Sequence, residues 1–279
     1  MMTDISGIKG DLYQASVIAK YELIKHVRSK KLYIFLALLA IIFVLTMSVF
    51  IAFGFPDDIY DPLTGTIVIQ TGAASFMMVP AMLATFVVIV AAIFFAATAL
   101  VSEFEERTAL LMFTRPVRKS TIVLGKFIAS ALITTLMVIL FFGIFGIISF
   151  VHYGEIAGNL LAAIGVAIAG AMCYIGMAFL FSSFAKKAST ASILTLIANL
   201  IIISMISALL GVAAPDMTLW FMPDYAMDAI NTALGISTMG GSSTFTMGVA
   251  DVATSAGVLL AWCAGTMAIS YAIFRRRDF

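Results

Sequence analysis

Six predominantly apolar stretches of this 279-residue chain contain no Asp, Glu, Lys or Arg and are long enough to cross a lipid bilayer. A hydrocarbon core of about 30 Å takes about 20 apolar residues in a helix, which satisfies its own backbone hydrogen bonds. The chain is 62% hydrophobic and 11% charged, too little polar surface for a soluble globule. We therefore predict an all-α integral membrane protein with one domain, 1–279. The predicted transmembrane helices are 32–55, 76–101, 127–151, 160–181, 191–214 and 252–274.

The charges are divided between the two sets of loops. All 16 Lys and Arg lie in the N-terminal segment, the second loop, the fourth loop and the C-terminal segment. The other loops carry eight Asp and Glu and no basic residue. Because positively charged segments stay on the cytoplasmic side, both termini are predicted to be cytoplasmic. The basic side also suits anionic lipid headgroups.

The segment 7–31, before the first apolar run, has the periodicity of an amphipathic helix. Tyr13, Val17, Tyr21, Ile24 and Val27 recur at steps of three and four, while Glu22 takes the other face. Such a helix is expected to lie along the membrane surface, with Arg28 and its lysine neighbours where the chain enters the bilayer. A disordered basic tail is the alternative.

The most charge-dense stretch, 102–126, lies between the second and third apolar runs. It opens with an acidic cluster, breaks at an Arg-Pro pair and continues as a basic segment. Because the residue before a proline leaves the α region, two short helices at an angle are expected. Such a charged hairpin projects into water, as a docking site for a soluble partner or as a solvated loop. Its candidate residues are Glu103, Glu105, Glu106, Arg107, Arg115, Pro116, Arg118, Lys119, Gly125 and Lys126.

The fifth apolar run carries a polar stripe, Ser192, Thr195 and Asn199, at steps of three and four. A mid-membrane amide needs partners, so the stripe either bonds neighbouring helices or lines a hydrated pathway. Small residues four apart in the fourth run (Ala163, Ala167, Ala171) and the sixth (Gly257, Ala261, Gly265) predict close helix packing. After the fifth run, the aromatic segment 220–230 predicts short helices that dip into the outer interface.

Other chemistry is sparse. The histidines His26 and His152 fall on opposite sides of the predicted topology, so they cannot form a joint metal or catalytic site. We predict no catalytic residue, no metal site, no bound cofactor and no nucleic-acid partner. The 17 methionines are interpreted as packing residues. The apolar runs lack the ionisable groups expected of many ion-coupled carriers.

Two motifs resemble the membrane subunit of ABC-2 type exporters, a family of ABC transporter permeases. AKYELIKHVRSKK resembles the family's first helix, with Glu22 and Arg28 at its acidic and basic positions. LVSEFEERTALLMFTRPVRKSTIVLGK resembles its coupling hairpin, although Arg107 stands where the family often has glycine. FSSFAKKAST and FMPDYAMDAI are weaker similarities.

The resemblance implies a permease of the cytoplasmic membrane that exports a substrate by alternating access. The hairpin would dock on a separate ATPase subunit, which would bind ATP and magnesium. The resemblance also implies a second permease, either an identical copy or a sister chain, and re-entrant outer helices between the fifth and sixth spans. A membrane-embedded lipid-modifying enzyme and a secondary carrier are the alternatives.

Overall fold

The computed structural model describes residues 8–55, 72–102, 118–213, 218–236 and 251–276, and every regular element in these ranges is helical. Six helical stretches are long and apolar enough to cross a membrane, which confirms the all-α membrane fold. The first three long helices are α2 (Lys30–Phe53), α3 (Gly72–Ala96) and α4 (Lys119–Tyr153). The others are α5 (Leu160–Phe184), the composite fifth span, and α10 (Val252–Arg276).

Helices α3, α4 and α5 form the centre of the bundle, with α10 packed along α5. Helix α2 and the fifth span lie at its periphery and are mostly exposed. The small residues of α5 are buried as predicted, whereas Gly257, Ala261 and Gly265 on α10 are exposed. Helix α10 instead packs through a neighbouring face. The buried residues of that face are Ser255, Leu259, Cys263, Thr266 and Ser270.

The fifth span is not one regular α-helix. It consists of α6 (Ala188–Ile197), a π-helical segment (Ala198–Ile203) and α7 (Ser204–Ala213). Such segments shift the side chains that follow them around the helix axis and frequently lie at functional sites.

Two short helices, α8 (Pro223–Met227) and α9 (Ala229–Ala233), pack into the bundle between the fifth span and α10. The Asn159 N–H donates to the Ala233 carbonyl at 2.7 Å at the start of α5. Further along α5, a Cβ on Gly170 would collide with Met227. Eleven residues separate Asn159 from Gly170, so the contacts of α8 and α9 with this part of the chain extend over roughly 16 Å at 1.5 Å per residue. The short helices lie where the sequence predicted them, and their entry into the membrane from the outer side stays a prediction.

The N-terminal segment folds as α1 (Ile8–Arg28), which packs against the beginning of α4. Tyr13, Tyr21, Ile24 and Val27 are exposed, so the predicted apolar face is free to contact lipid. The opposite face is not solvated, because Ala15 and Ala19 are buried there and Glu22 is partly buried. Helix α4 begins at Lys119, eight residues before the predicted third span, so the basic arm of the hairpin prediction is continuous with that span.

Candidate functional site

The candidate site is the end of the bundle where α1 meets the two chain segments that flank 103–117. We call 97–102, which follows α3, the first root, and 118–126, which begins α4, the second root. Both roots are described by the structure, whereas 103–117 lies outside the described residues. The predicted site residues Glu103, Glu105, Glu106, Arg107, Arg115 and Pro116 therefore stay predictions.

The second root is in close contact with α1 at Gly125. A Cβ at this position would lie 2.8 Å from Ile18 Cγ2 and 2.9 Å from the Ala15 carbonyl oxygen. One of these atoms belongs to the α1 backbone and cannot move aside as a side chain can. Gly125 therefore allows the two helices to approach each other more closely than any larger residue would.

Next to this contact, Lys126 forms an ion pair with Glu22. Lys126 Nζ lies 3.0 Å from Glu22 Oε1, and the two side chains are 1% and 14% exposed. Burying a lysine is costly unless its charge is compensated, and Glu22 supplies a compensating charge for Lys126. Two residues that the sequence assigned to different predicted elements thus form one buried contact.

A second ion pair joins the same helices near their ends. Arg118 Nη1 lies 2.8 Å from Asp11 Oδ2, but the arginine side chain is 74% exposed. Water and salt screen such a pair, so it contributes at most about 1 kcal/mol. Lys119, the next residue, contacts a different helix: its Nζ donates a hydrogen bond to the Arg275 carbonyl at the end of α10 (3.4 Å).

His26 lies one turn along α1 from Glu22 and is buried. Its ring packs edge-on against Phe95 of α3, with the centroids 5.7 Å apart. Its Nε2 has no hydrogen-bond partner in the described part of the chain. Burial lowers the pKa of His26 from 6.5 to about 4, an effect that Glu22 opposes and that Lys31, Lys126 and Lys25 reinforce. At neutral pH the ring is therefore uncharged.

The first root is attached to α5 and to the start of α2. The hydroxyl of Ser182, fully buried on α5, accepts hydrogen bonds from the backbone N–H groups of Leu100 and Val101, both at 3.1 Å. Lys31 Nζ donates to Thr98 Oγ1 at 2.7 Å. Both roots are thus bonded to helices of the bundle.

Sequence reasoning identified Glu22, Gly125 and Lys126 but missed His26 and Ser182 as parts of this site. The available signals were weak. His26 follows Glu22 by four residues on the predicted polar face, and Ser182 belongs to the motif FSSFAKKAST. Arg28, the other residue predicted on this helix, is exposed at the end of α1.

The polar stripe of the fifth span bonds to its own helix. Ser192 Oγ, Thr195 Oγ1 and Asn199 Nδ2 donate to the carbonyls of Ala188, Ala191 and Thr195. These three bonds do not join the span to another helix, so they give no support to the bonding alternative. Asn199 is fully buried, and its Oδ1 has no hydrogen-bond partner among the described residues.

The described ranges contain no group of three or more His, Cys, Asp or Glu side chains able to hold a metal ion. Within these ranges two ion pairs at the basic end join α1 to α4, an arrangement that suits attachment of one helix to the other.

Comparisons with known proteins bear on the family of the chain. The family model described as ABC-2 family transporter protein matches residues 16–279. The chain is 29% identical over 234 residues to the probable ABC transporter permease protein NosY of Stutzerimonas stutzeri, covering 74% of this chain and 84% of the relative.

Proposed function

Because the chain belongs to the ABC-2 family of transporter proteins and is a multi-pass membrane permease of an ABC transporter, we propose that it exports its substrate by coupling to a separate ATPase. The ATPase subunit docks on segment 103–117, on the cytoplasmic side of the cytoplasmic membrane. The ATPase subunit binds ATP and magnesium, and the permease chain itself catalyses no reaction. This membership favours a transporter over a lipid-modifying enzyme or a secondary carrier.

The observation that carries this proposal is the attachment of both roots to the bundle. A docking segment transmits force only if its ends move together with the membrane helices. The first root is bonded to α5 through Ser182, and the second is held on α1 by Gly125 and the Glu22–Lys126 pair. A push on 103–117 would therefore move α1, α4 and α5 together, which fits a shift between inward- and outward-open states.

We further propose that two permease chains, identical or sister, assemble with two ATPase subunits. The exposed faces of α2 and of the fifth span support this, because they leave apolar helix surface free for lipid or for a second permease. Anionic lipid would contact the exposed tyrosines and basic residues of α1.

The test is the charge reversal Glu103→Lys/Glu105→Lys in the tagged chain, expressed with its ATPase in native membranes. Inverting charges at a polar interface costs about 2 kcal/mol or more, roughly a thirtyfold loss of affinity. We expect the ATPase to be lost on purification while the yield of folded permease is kept. Because the six spans bury their surface independently of this segment, insertion is expected to be normal.

The matched control is Asp4→Lys/Asp278→Lys, which makes the same charge change in the two terminal segments on the same side of the membrane. This control is expected to retain the ATPase. Retention of the ATPase and of substrate-stimulated hydrolysis by the Glu103/Glu105 variant would show that the segment is a solvated loop.

A further inference from the structure

An apolar groove separates α2 from α4 on the surface of the bundle. Its volume is about 180 Å³. An engineered apolar cavity of about 150 Å³ is large enough to bind benzene, so the groove can hold part of a hydrocarbon chain. The described residues that line it are all apolar: Leu36, Leu39, Ala40 and Phe43 of α2, and Leu140, Phe141, Ile144 and Phe145 of α4.

The groove has a buried floor and an exposed rim. The floor residues are at most 6% exposed, and they are Leu39, Phe141 and Phe145. The rim residues are exposed, and they are Ala40, Leu140 and Ile144. The groove is therefore open on one side to whatever surrounds the bundle.

Helix α2 is held at its two ends, on either side of the groove. Near its beginning, Lys31 Nζ donates a hydrogen bond to Thr98 Oγ1 of the first root at 2.7 Å. Near its end, the ring of Phe50 packs on that of Phe76 of α3, with the centroids 4.9 Å apart. Between these two contacts, the groove leaves α2 without close packing against α4 on this side.

The groove lies at the depth of the lipid chains. Helix α2 begins at Lys30, and Leu36 and Phe43 follow it by six and thirteen residues. At 1.5 Å per residue, the groove extends from roughly 9 to 20 Å along the helix, inside a hydrocarbon core of about 30 Å. At the end farther from Lys30 it is closed by Phe43 and Phe145, whose ring centroids are 5.8 Å apart.

A lipid chain suits this groove better than water or protein does. Water finds no hydrogen-bond partner on an apolar lining, and an empty groove forfeits the van der Waals contacts of its walls. The segment 56–71, which follows α2, contains three Asp, and these are costly to place in hydrocarbon. A second permease needs roughly 20 to 30 residues a side for a stable interface, and the groove offers only eight.

We propose that the groove between α2 and α4 binds an acyl chain of a phospholipid from the leaflet on the basic side of the membrane. The bound chain completes the packing of α2 against α4 between the two ends at which α2 is held. Arg28 and Lys30 are exposed at the start of α2 and suit the phosphate of such a lipid. The inference concerns how α2 is held in the bundle and does not rest on the proposed export function.

The test counts the phospholipids that stay bound to the purified full-length chain after extensive washing in detergent, by native mass spectrometry. Ala40→Phe places a ring in the groove, and we expect it to lose one bound phospholipid per chain relative to the parent. The matched control is Ala37→Phe on the same helix. Ala37 is exposed but does not line the groove, so this variant is expected to keep the lipid.

A second measurement follows the thermal unfolding of delipidated protein as dioleoyl phosphatidylglycerol is added back. A ligand that binds only the folded state raises the unfolding temperature in proportion to its occupancy. The parent and Ala37→Phe are expected to gain more than Ala40→Phe does. Yield and elution volume report whether each variant folds, and Ala40→Leu replaces Ala40→Phe if the latter does not.

Three results would overturn the inference. One is an equal lipid count for the parent and Ala40→Phe, and another is an equal loss in Ala37→Phe. The third is a disulfide between two copies of Ala40→Cys in membranes, in a chain whose buried Cys173 and Cys263 are replaced by alanine. That disulfide would mean that a second permease covers the groove. None of these measurements needs a docked ATPase, so their failure is distinguishable from failure of the Glu103/Glu105 experiment.

Discussion

Charged side chains have different surroundings at the two ends of the molecule. At the basic end, Lys126 is almost completely buried and forms an ion pair with Glu22 on another helix. Toward the acidic end, Asp224 on α8 is half-buried and has no ion pair among the described residues. A buried charge pair fixes two helices in one arrangement, whereas a carboxylate without such a partner can still accept hydrogen bonds from other donors. The comparison indicates that charge pairs join helices at the basic end and that α8 is not held in this way.

The largest effect is expected from breaking the buried pair. Lys126→Met leaves the partly buried Glu22 without its compensating charge, and the loss of one partner of a buried pair costs up to about 3 to 5 kcal/mol. The unfolding free energy is measured by denaturant titration in detergent. The double variant Glu22→Gln/Lys126→Met is expected to recover most of the loss, because no unpaired charge remains. If the Lys126→Met variant is as stable as the parent, the Lys126 charge is solvated by water in the parent and does not depend on Glu22.

A pH dependence is expected next, from His26 beside the same pair. The folded state holds the pKa of His26 at about 4, below its unfolded value of 6.5. The unfolded chain binds the proton of His26 more tightly than the folded chain does. The stability that the uncharged ring contributes is therefore complete above pH 6.5 and is lost as the pH falls toward 4. The loss reaches at most about 3 kcal/mol.

Thermal unfolding of the parent and of His26→Phe between pH 4 and 7.5 checks this expectation. Phenylalanine keeps an aromatic ring beside Phe95 but does not titrate. The difference in stability between the two proteins is therefore expected to change across this range. A constant difference would contradict the burial of a neutral imidazole at this position.

The smallest effect on stability is expected at the other end of the comparison. Asp224→Asn keeps the size of the side chain and breaks no ion pair found among the described residues, so the cost should be at most about 1 kcal/mol. A stability loss as large as that of Lys126→Met would make Asp224 an attachment residue and erase the difference between the two ends.

The candidate site was only partly predictable. The resemblance pointed to Glu22 and Lys126 as separate family positions, but neither motif shows that they meet across 104 residues of sequence. Glu22 was assigned to a solvated helix face, because a carboxylate opposite a tyrosine stripe is normally exposed to water. Its burial depends on the glycine at 125, which lets α4 approach that face.

The faces through which the helices pack were harder to predict from the sequence than the positions of the helices along the chain. The small-residue row of α10 suggested a contact surface, yet Gly257, Ala261 and Gly265 are exposed and a neighbouring face packs on α5. Both faces carry small or weakly polar residues, so spacing alone does not choose between them. The sequence predicted that the polar stripe of the fifth span bonds neighbouring helices or lines a hydrated pathway. In the structure its three donors bond to carbonyls of their own helix.

The sequence by itself determined the number of spanning helices and the separation of basic from acidic loops, since both follow from transfer of side chains between water and hydrocarbon. Only the tertiary structure decided that α3 and α5 are central while the more hydrophobic α2 is peripheral. Lipid and protein interior are both apolar, so hydropathy does not distinguish them. The structure likewise decided the path of α8 into the bundle, because that path is set by contacts with α5, the fifth span and α10.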